Sequence, residues 1–431
     1  MNGVPAKTPP HDRRGSAYFF VLGITLLVTV LGMGALTLSR VSARVASDGN
    51  DWETAGVLAY SAVEHAISTL NSVAAASPSG WRGNYTSGQI AFTQIVGRGK
   101  FSWTLKDEID GNLSSDYLHP VRIYGIGTVG NVTRVYSAQI APGGSPLDVL
   151  RTATHSSVSV ELTGKSQANY GPISSNGLVK LSGTVNAAIE AGSTSGSASG
   201  TQAITAPASA KTMPSTTIFD TLAADATVID YNVASGKIDK CLLSPAVNPY
   251  GTPNAKGLYL ITVPAGKKLT ITRARIVGTL LIRSTSAASV DVTGPVLWEP
   301  GPLRTPLLLA SMVNGDIKIT GNPDWLAESD AGINLNPAST PFAGTSNTNA
   351  TDDYPPQYRG IIHCMLGSGG KLELAANVYV SGTVIADCPV KTTAMSTLLQ
   401  DSSIYANPPF GYATGDAMTL VPGTWRWDTL P

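Results

Sequence analysis

The chain has 431 residues, a length that corresponds to about three domains of ordinary size. Basic and acidic residues balance at 29 each, and charged residues make up 13% of the chain, against about 25% in typical proteins. Because there is no excess of basic residues, we expect no nucleic-acid partner. The three cysteines are too few for a disulfide framework.

The N-terminal region contains a long uncharged segment, residues 15–39. A helix needs roughly 20 apolar residues to cross a bilayer, so we predict a transmembrane helix here. Lys7, Arg13 and Arg14 precede the segment and favour a cytoplasmic N-terminus. A cleaved secretory signal is the competing interpretation, although its apolar core usually spans only about 7 to 15 residues.

Helical periodicity continues beyond the uncharged segment. Small and apolar residues recur there at spacings of three and four, which is typical of one face of a helix: Ala59, Val63, Ala66, Leu70 and Val73. Pro78 and Gly80 end the pattern. We therefore predict one helical unit over residues 16–76, preceded by a cytoplasmic leader at 1–15.

Residues 77–145 show alternating apolar and polar side chains in several short segments, separated by Gly, Asn and Asp. This pattern predicts a small antiparallel sheet, and its apolar face is suited to pack against the preceding amphipathic helix. Proline and glycine in Ala141–Pro146 mark the end of this unit.

Residues 146–431 contain many short Val-, Ile-, Leu- and Thr-rich segments, punctuated by Gly or Asn and almost without helical periodicity. Such spacing favours a β-solenoid, specifically a parallel β-helix, over a β-sandwich or jelly roll, which would also have many short strands. The expected fold class is mainly β with a long N-terminal α-helix: a transmembrane helix, a small antiparallel α+β domain and a β-solenoid body.

The leader resembles a known type. Arg13-Arg14-Gly15, followed by an uncharged helix that begins Ser16-Ala17-Tyr18-Phe19-Phe20, resembles the class III leader of type IV pilins and type II secretion pseudopilins. The small-residue helix around Glu64, with Ala62 and Ala66, is similar to PilX-type minor pilins. The resemblance covers about the first 140 residues.

The resemblance implies processing and assembly. A prepilin peptidase would cut after Gly15, leaving Ser16 at the N-terminus, and the helix that carries Phe20 and Glu64 would pack with other pilin or pseudopilin subunits. Most pilins have Glu where this chain has Phe20, and its carboxylate is thought to meet the N-terminal amine of the next subunit. Minor pseudopilins that cap the tip also lack this Glu. The resemblance thus implies a minor or tip subunit, and an uncleaved single-pass anchor in membrane lipid is the competing interpretation.

The pattern Gly125-Ile126-Gly127-Thr128-Val129-Gly130 has the spacing of a dinucleotide-binding loop. Such a loop must lead into a helix that receives the pyrophosphate. Residues 131–140 instead have the pattern of a strand, so we predict a glycine-rich hairpin turn and no cofactor. The five histidines also lack the spacing of a metal site, and we predict no metal.

An enzymatic alternative comes from polysaccharide lyases of β-helical shape, which use carboxylates for calcium and a basic residue for proton abstraction. The candidates by residue type are Arg273, Arg275, Arg283 and Asp291. Solvent-facing charges on strands explain these residues more simply, because fold does not imply function. We therefore predict a structural protein without a catalytic site. The alternative is an anchored carbohydrate-binding protein or polysaccharide lyase.

The exported body would have further features. Cys364 and Cys388 could form a disulfide if the body lies in the periplasm or outside the cell, and buried free thiols are the alternative. The aromatic tail, with Trp425, Trp427, Phe410 and Tyr412, is expected to cap the open core of the solenoid, and a binding surface for sugar or a partner protein is the alternative. Surface polysaccharide or a secreted protein is the expected partner of the body.

Overall fold

The computed structural model of the chain describes residues 14–74, 81–367, 369–414 and 417–430. Residues 1–13 of the predicted leader lie outside this range. The helices are α1 (Arg14–Ala74), α2 (Thr217–Ala224), α3 (Glu328–Ala331) and α4 (Ser402–Ala406), with a 3-10 turn at Asp148–Arg151.

The first four strands are β1 (Ile90–Val96), β2 (Gly99–Asp107), β3 (Val121–Val129) and β4 (Val132–Pro142). The next eleven are β5 (Thr154–Ser156), β6 (Ser159–Leu162), β7 (Lys165–Asn169), β8 (Ile173–Leu181), β9 (Thr184–Asn186), β10 (Ile189–Gly196), β11 (Ile204–Thr205), β12 (Thr227–Ile229), β13 (Lys237–Leu243), β14 (Leu258–Thr262) and β15 (Lys268–Val277).

The remaining strands are β16 (Thr279–Ser284), β17 (Ser289–Val292), β18 (Val296–Glu299), β19 (Leu308–Met312), β20 (Asp316–Ile319), β21 (Leu326–Ala327), β22 (Asp353–Tyr354), β23 (Gln357–Met365), β24 (Lys371–Leu374), β25 (Val378–Ala386), β26 (Val390–Thr392), β27 (Ser396–Leu399), β28 (Met418–Leu420) and β29 (Arg426–Trp427).

The second half of α1 packs on a small antiparallel sheet in which β1, β2, β3 and β4 are neighbours in chain order. The core between helix and sheet contains Ala62, Val63 and Leu70 from α1 and Trp103 and Ile123 from the sheet. The apolar residues of α1 meet the apolar face of the sheet because three- and four-residue spacing puts them on one side of the helix.

Two glycines of β3 allow α1 to lie directly on the sheet. A Cβ atom at Gly125 would collide with the carbonyl oxygen of Ala59, and one at Gly127 would collide with that of Ala55. The predicted hairpin turn is therefore wrong for these two glycines, which lie inside β3. Gly130, at φ 57°, is in the turn that leads to β4.

The small sheet is completed by the C-terminus of the chain. β28 pairs antiparallel with β4 through Leu420 and Ile140, and β29 pairs with β4 through Trp427 and Tyr136. The parallel strands are therefore inserted, in sequence, between β4 and β28.

In the described residues, 21 strands form one large sheet (β5–β20 and β23–β27), and their pairings are parallel. We refer to this unit, residues 154–399, as the β-body. The core side chains stack from strand to strand: Ile271 pairs with Val292, Val292 with Ile319, and Ile319 with Leu374. The prediction of a long helix followed by a mainly β chain is confirmed.

The β-body consists of a first run of strands, β5–β11, and a second run, β12–β20 with β23–β27, and the two runs pair with each other. β25, β26 and β27, the last strands of the second run, pair in parallel with β5, β6 and β7, the first strands of the first run. The pairs Ile385–His155, Lys391–Glu161 and Leu398–Ala168 hold this junction in register. The connection from β11 to β12 links the two runs and contains α2.

One outer face of the β-body is covered by other parts of the chain. Leu281 and Leu309 pair across neighbouring strands on this face, and Ile218 and Phe219 of α2 pack in the same apolar cluster. Tyr412, from the segment that leads back to the small sheet, is fully buried there and lies 2.8 Å from His363 Nδ1 through its hydroxyl. Burial removes the histidine from water, which lowers its pKa to about 3.

Replacing Gly127 with Ala should destabilise the contact between α1 and the small sheet, because the added methyl group has no space against the helix backbone. Overpacking of this kind costs about 1–3 kcal/mol. Gly83→Ala is the matched control, since no atom lies within 4 Å of a Cβ at Gly83. Urea unfolding followed by tryptophan fluorescence would measure both variants, and equal stability of the two would contradict the assigned contact.

The β-body should lose stability as the pH falls from 6.5. Burial first, and Lys211 second, lower the pKa of His155 from 6.5 to about 4, and burial lowers that of His363 to about 3. Below pH 6.5 the unfolded chain therefore binds more protons than the folded chain, so the free energy of unfolding decreases down to these folded-state values. Urea unfolding at several pH values would measure the slope, and the His155→Asn/His363→Asn double variant should flatten it. An unchanged slope would contradict this assignment.

Candidate anchoring and assembly site

The first half of α1 is exposed along its whole length. Every residue from 17 to 50 is exposed, including Phe20 with 72% of its surface accessible, Leu26 with 68% and Leu38 with 69%. Water disfavours a surface of this size and composition. The helix is long and apolar enough to span a membrane, with a mean hydropathy of 2.4.

Three threonine hydroxyls in the apolar part of α1 are satisfied within the helix. The Thr25, Thr29 and Thr37 hydroxyls donate to the carbonyl oxygens of Val21, Thr25 and Met33, at 2.7 to 2.8 Å. In lipid, no water is available to accept hydrogen bonds from these hydroxyls. The bonds within the helix therefore make this sequence compatible with the bilayer.

The residues expected to act in processing and assembly all lie on α1 but far apart. Gly15 and Ser16 belong to its first turn, and their side chains lie outside the described residues. Phe20 lies in the exposed apolar part. Glu64 is also exposed, but it lies where neighbouring helix residues are buried against the small sheet. No single site therefore contains Phe20 and Glu64.

The C-terminal tail clamps α1 where the helix meets the sheet. The Arg134 guanidinium lies between the rings of Trp52 and Trp427, 3.6 Å from each ring centroid, and Trp427 also stacks on Tyr136. One such cation–π contact at an exposed site contributes about 0.5–1 kcal/mol. The prediction that the tail caps the β-body is wrong for Trp427, because this residue packs on α1 and the small sheet.

Further contacts attach the tail along α1. Trp425 stacks on Tyr60 with ring centroids 4.7 Å apart, so neither tail tryptophan caps the β-body. The Asn71 side chain donates to the backbone carbonyl of Met418 at 3.2 Å and accepts from its amide at 2.7 Å. Sequence reasoning missed this clamp. The only sequence signal was the pair of closely spaced tryptophans.

The residues proposed for a lyase are engaged in separate ion pairs within the protein. Arg273 holds Asp239 in a two-point contact at 2.9 and 2.6 Å. Arg283 binds Asp220 of α2 at 2.7 Å, and Asp291 pairs with Lys268. These contacts explain the three residues as links between strands or between a strand and a helix.

Arg275 is almost fully buried, with 1% of its surface accessible. Its guanidinium binds Glu299 at 2.9 Å and donates to the backbone carbonyls of Leu335, Thr340 and Pro341. Arg275 thereby fastens the 328–354 insertion to the β-body. A buried arginine with several acceptors is a structural support, and the sequence pattern gave no sign of its burial.

Cys364 and Cys388 are both free and buried in the core of the β-body, as is Cys241. Burial raises the pKa of Cys241 to about 11 and that of Cys388 to about 12. Their thiols are therefore protonated and weakly reactive near neutral pH. The pairing of Cys364 with Cys388 after export stays a prediction.

One group in the small domain has residue types that can bind a metal ion. Ligand atoms of Asp107, Asp110 and His119 lie within 4.8 Å of one another. The Asp107 carboxylate already accepts from the backbone amide of Ile109 at 2.7 Å and lies 3.2 Å from His119 Nδ1. These bonds explain why the three residues lie together: they support the loop between β2 and β3.

Several concave surfaces of the described residues lie outside α1. A cavity of about 580 Å³ lies between the small sheet and the β-body, beside Trp81, Tyr117 and Phe410. A groove of about 480 Å³ lies on the β-body, beside Trp325 and Tyr379.

No protein-family model matches this chain, and no curated protein sequence matches it. Among solved structures, the chain is similar to the competence-associated pilin ComZ from Thermus thermophilus, with 11% identity and a TM-score of 0.27 over 87% of this chain and 98% of that chain. A TM-score this low carries no conclusion about fold or function, so the assignment of function rests on the geometry of this chain.

Arg275→Met should destabilise the protein by about 3–5 kcal/mol, because the change leaves Glu299 and several buried carbonyls without their partner. Arg273→Met is the matched control, since Arg273 is 39% exposed in its side chain and such pairs contribute about 0–1 kcal/mol. Urea unfolding would compare the two variants, and limited proteolysis would show whether the 328–354 insertion becomes accessible. Equal losses of stability would contradict the structural assignment.

Proposed function

We propose that this protein is a minor pilin-like or pseudopilin-like structural subunit. It is anchored in the inner membrane by α1, with its N-terminus in the cytoplasm, and takes part in assembly of a type IV pilus or a type II secretion pseudopilus. One observation carries the proposal: a single 61-residue helix has an exposed apolar first half and a second half covered by a small antiparallel sheet.

The length of α1 supports a role in assembly beyond anchoring. At 1.5 Å per residue the helix is about 90 Å long, whereas the hydrocarbon core of a bilayer is about 30 Å thick. Residues 40–50 follow the uncharged segment and precede the first helix residues buried by the sheet. Val41 and Val45 are 53% and 66% exposed in this stretch. Helices of neighbouring subunits would cover them.

Phe20 supports a minor or tip position. A carboxylate in the apolar segment would cost free energy in lipid unless it met a partner. Phe20 is uncharged and needs no such partner. A subunit without the carboxylate cannot pair through this position with the amine of a neighbour. The proposed subunit therefore begins or ends a fibre, with few copies in each.

The second part of the proposal concerns the β-body, which we take to be a parallel β-helix. Its strands pair in parallel with successive later strands, as in Leu260 with Leu281 and Leu281 with Leu309. Its core side chains form continuous columns, such as Ile271, Val292, Ile319 and Leu374. A β-helix displayed by the small sheet would lie on the periplasmic or extracellular side and contact surface polysaccharide or a secreted protein.

We propose a structural role rather than a catalytic one for the β-body. The four residues suggested for lyase chemistry each have ion-pair partners within the protein, which supports this view. An assay of polysaccharide cleavage with Arg273→Ala and Arg283→Ala variants tests it directly. A cleavage activity that disappears in these folded variants would contradict the structural role.

Processing of the leader tests the proposed function. The full-length protein is produced in membranes with and without a prepilin peptidase, extracted with detergent and sequenced from its N-terminus. With the peptidase, we expect a chain that begins at Ser16. Gly15→Val should keep Met1, because the cleavage position is lost, whereas the control Gly3→Val should still be processed. An intact Met1 in the wild-type chain, in the presence of active peptidase, would contradict the proposal.

A separate measurement tests the proposed minor or tip position in the fibre. Quantitative mass spectrometry of sheared fibres should find far fewer copies of this chain than of the main fibre subunit. Comparable copy numbers would contradict the position while leaving the processing result intact.

A further inference from the structure

The groove of about 480 Å³ on the β-body is lined by large apolar and aromatic side chains, which is unusual for a solvent-facing surface. Three large side chains line it and remain accessible: Trp325 with 58% of its surface exposed, Met395 with 49% and Tyr379 with 38%. A protein surface that gathers exposed aromatic and apolar side chains in one concave place usually binds something there.

The backbone holds the groove in one shape. The turn after β20 lies so close to the turn before β25 that a Cβ at Gly321 would collide with the carbonyl oxygen of Asn377. The amide of Asn377 in turn donates to the carbonyl oxygen of Met395 at 2.7 Å. Three turns are therefore fixed side by side, and a ligand would find a preformed site, which reduces the entropy cost of binding.

A row of polar side chains begins in the groove and continues beyond it onto β7. Tyr379 of β25 pairs with Thr397 of β27, and Thr397 pairs with Gln167 of β7. Gln357 precedes Tyr358, which pairs with Val380, so that Gln357 is level with Tyr379 on the neighbouring strand. Adjacent strands lie about 4.8 Å apart, so these residues form an evenly spaced outward column.

Hydrogen-bonding groups that line the groove are available to a ligand. Among the described residues, none forms a hydrogen bond with the Trp325 indole N–H, the Tyr379 hydroxyl or the Gln357 side-chain amide. The residues that line the groove include no Asp, Glu, Lys, Arg or His: they are Asn, Pro, Trp, Gln, Val, Tyr, Met and Thr. A charged ligand would lose its hydration there without gaining a counter-charge.

From these features we propose that the groove is a binding site for an uncharged polysaccharide. The apolar faces of the sugar rings lie against Trp325 and Tyr379, and the sugar hydroxyls bond to the Gln357 amide and the Thr397 hydroxyl. Aromatic side chains serve this purpose because each combines a flat apolar face with a polar edge. The repeated column suits a polymer that lies across several strands. This site does not depend on processing of the leader or on assembly into a fibre.

Affinity electrophoresis tests the site with the full-length protein in a detergent that has no sugar headgroup. Native gels contain dextran, amylose, hydroxyethyl cellulose or galactomannan as neutral probes, and polygalacturonate as the charged probe. We expect retardation by at least one neutral polymer and none by polygalacturonate. Trp325→Ala and Tyr379→Ala should each raise the dissociation constant about tenfold, which corresponds to roughly 1.4 kcal/mol.

Tyr170→Ala is the matched control, because Tyr170 is 85% exposed and lies outside the groove. It should leave the retardation unchanged, and thermal unfolding should show that the three variants are folded. The proposal is overturned if none of the neutral polymers retards the protein, or if the groove variants bind as well as the wild type. Binding of a polyproline peptide that is lost in the same variants, without any binding of polysaccharide, would also overturn it in favour of a peptide site.

Discussion

The close contact between the backbone of α1 and the two glycines of β3 is the constraint on which the small domain depends. Without side chains at Gly125 and Gly127, the helix lies directly on the strand and the sheet covers the residues that follow Asp51. The Arg98–Asp51 ion pair, at 2.7 Å, marks the edge of this contact. On the N-terminal side of this ion pair the helix has no cover within the described residues, and its exposed surface is apolar.

The small sheet also holds both connections to the large β-body. The small sheet gains β28 and β29 from the end of the chain, and both pair with β4, the strand that leads into the β-body. The β-body is thus held by two nearby connections. Two connections restrict rotation about the junction more than a single linker would, so the orientation of the groove relative to the helix axis is set by the fold.

Elements with a local pattern could be predicted from the sequence. The uncharged segment predicted the long apolar helix, and short β-branched segments predicted a mainly β chain. The return of the C-terminus could not be predicted, because β28 and β29 have three and two residues and therefore no period. The pairing of β25 with β5 also leaves no local signal, since these strands are distant in the chain. The role of Gly127 and the burial of Arg275 depend on tertiary contacts. The groove could not be predicted, because Trp325 and Tyr379 are isolated aromatics in separate segments.

The insertion of the β-body between β4 and β28 has a consequence for the order of synthesis. A ribosome makes α1 and β1–β4 first, but the residues that clamp Trp52, Tyr60 and Asn71 emerge only after the whole β-body. Likewise, β5–β7 of the first run can pair with β25–β27 only after those later strands have been made. The helix receives its full cover only after the whole body has been made. A truncated or misfolded β-body would leave this clamp unformed, so the completeness of the β-body decides whether α1 receives its full cover.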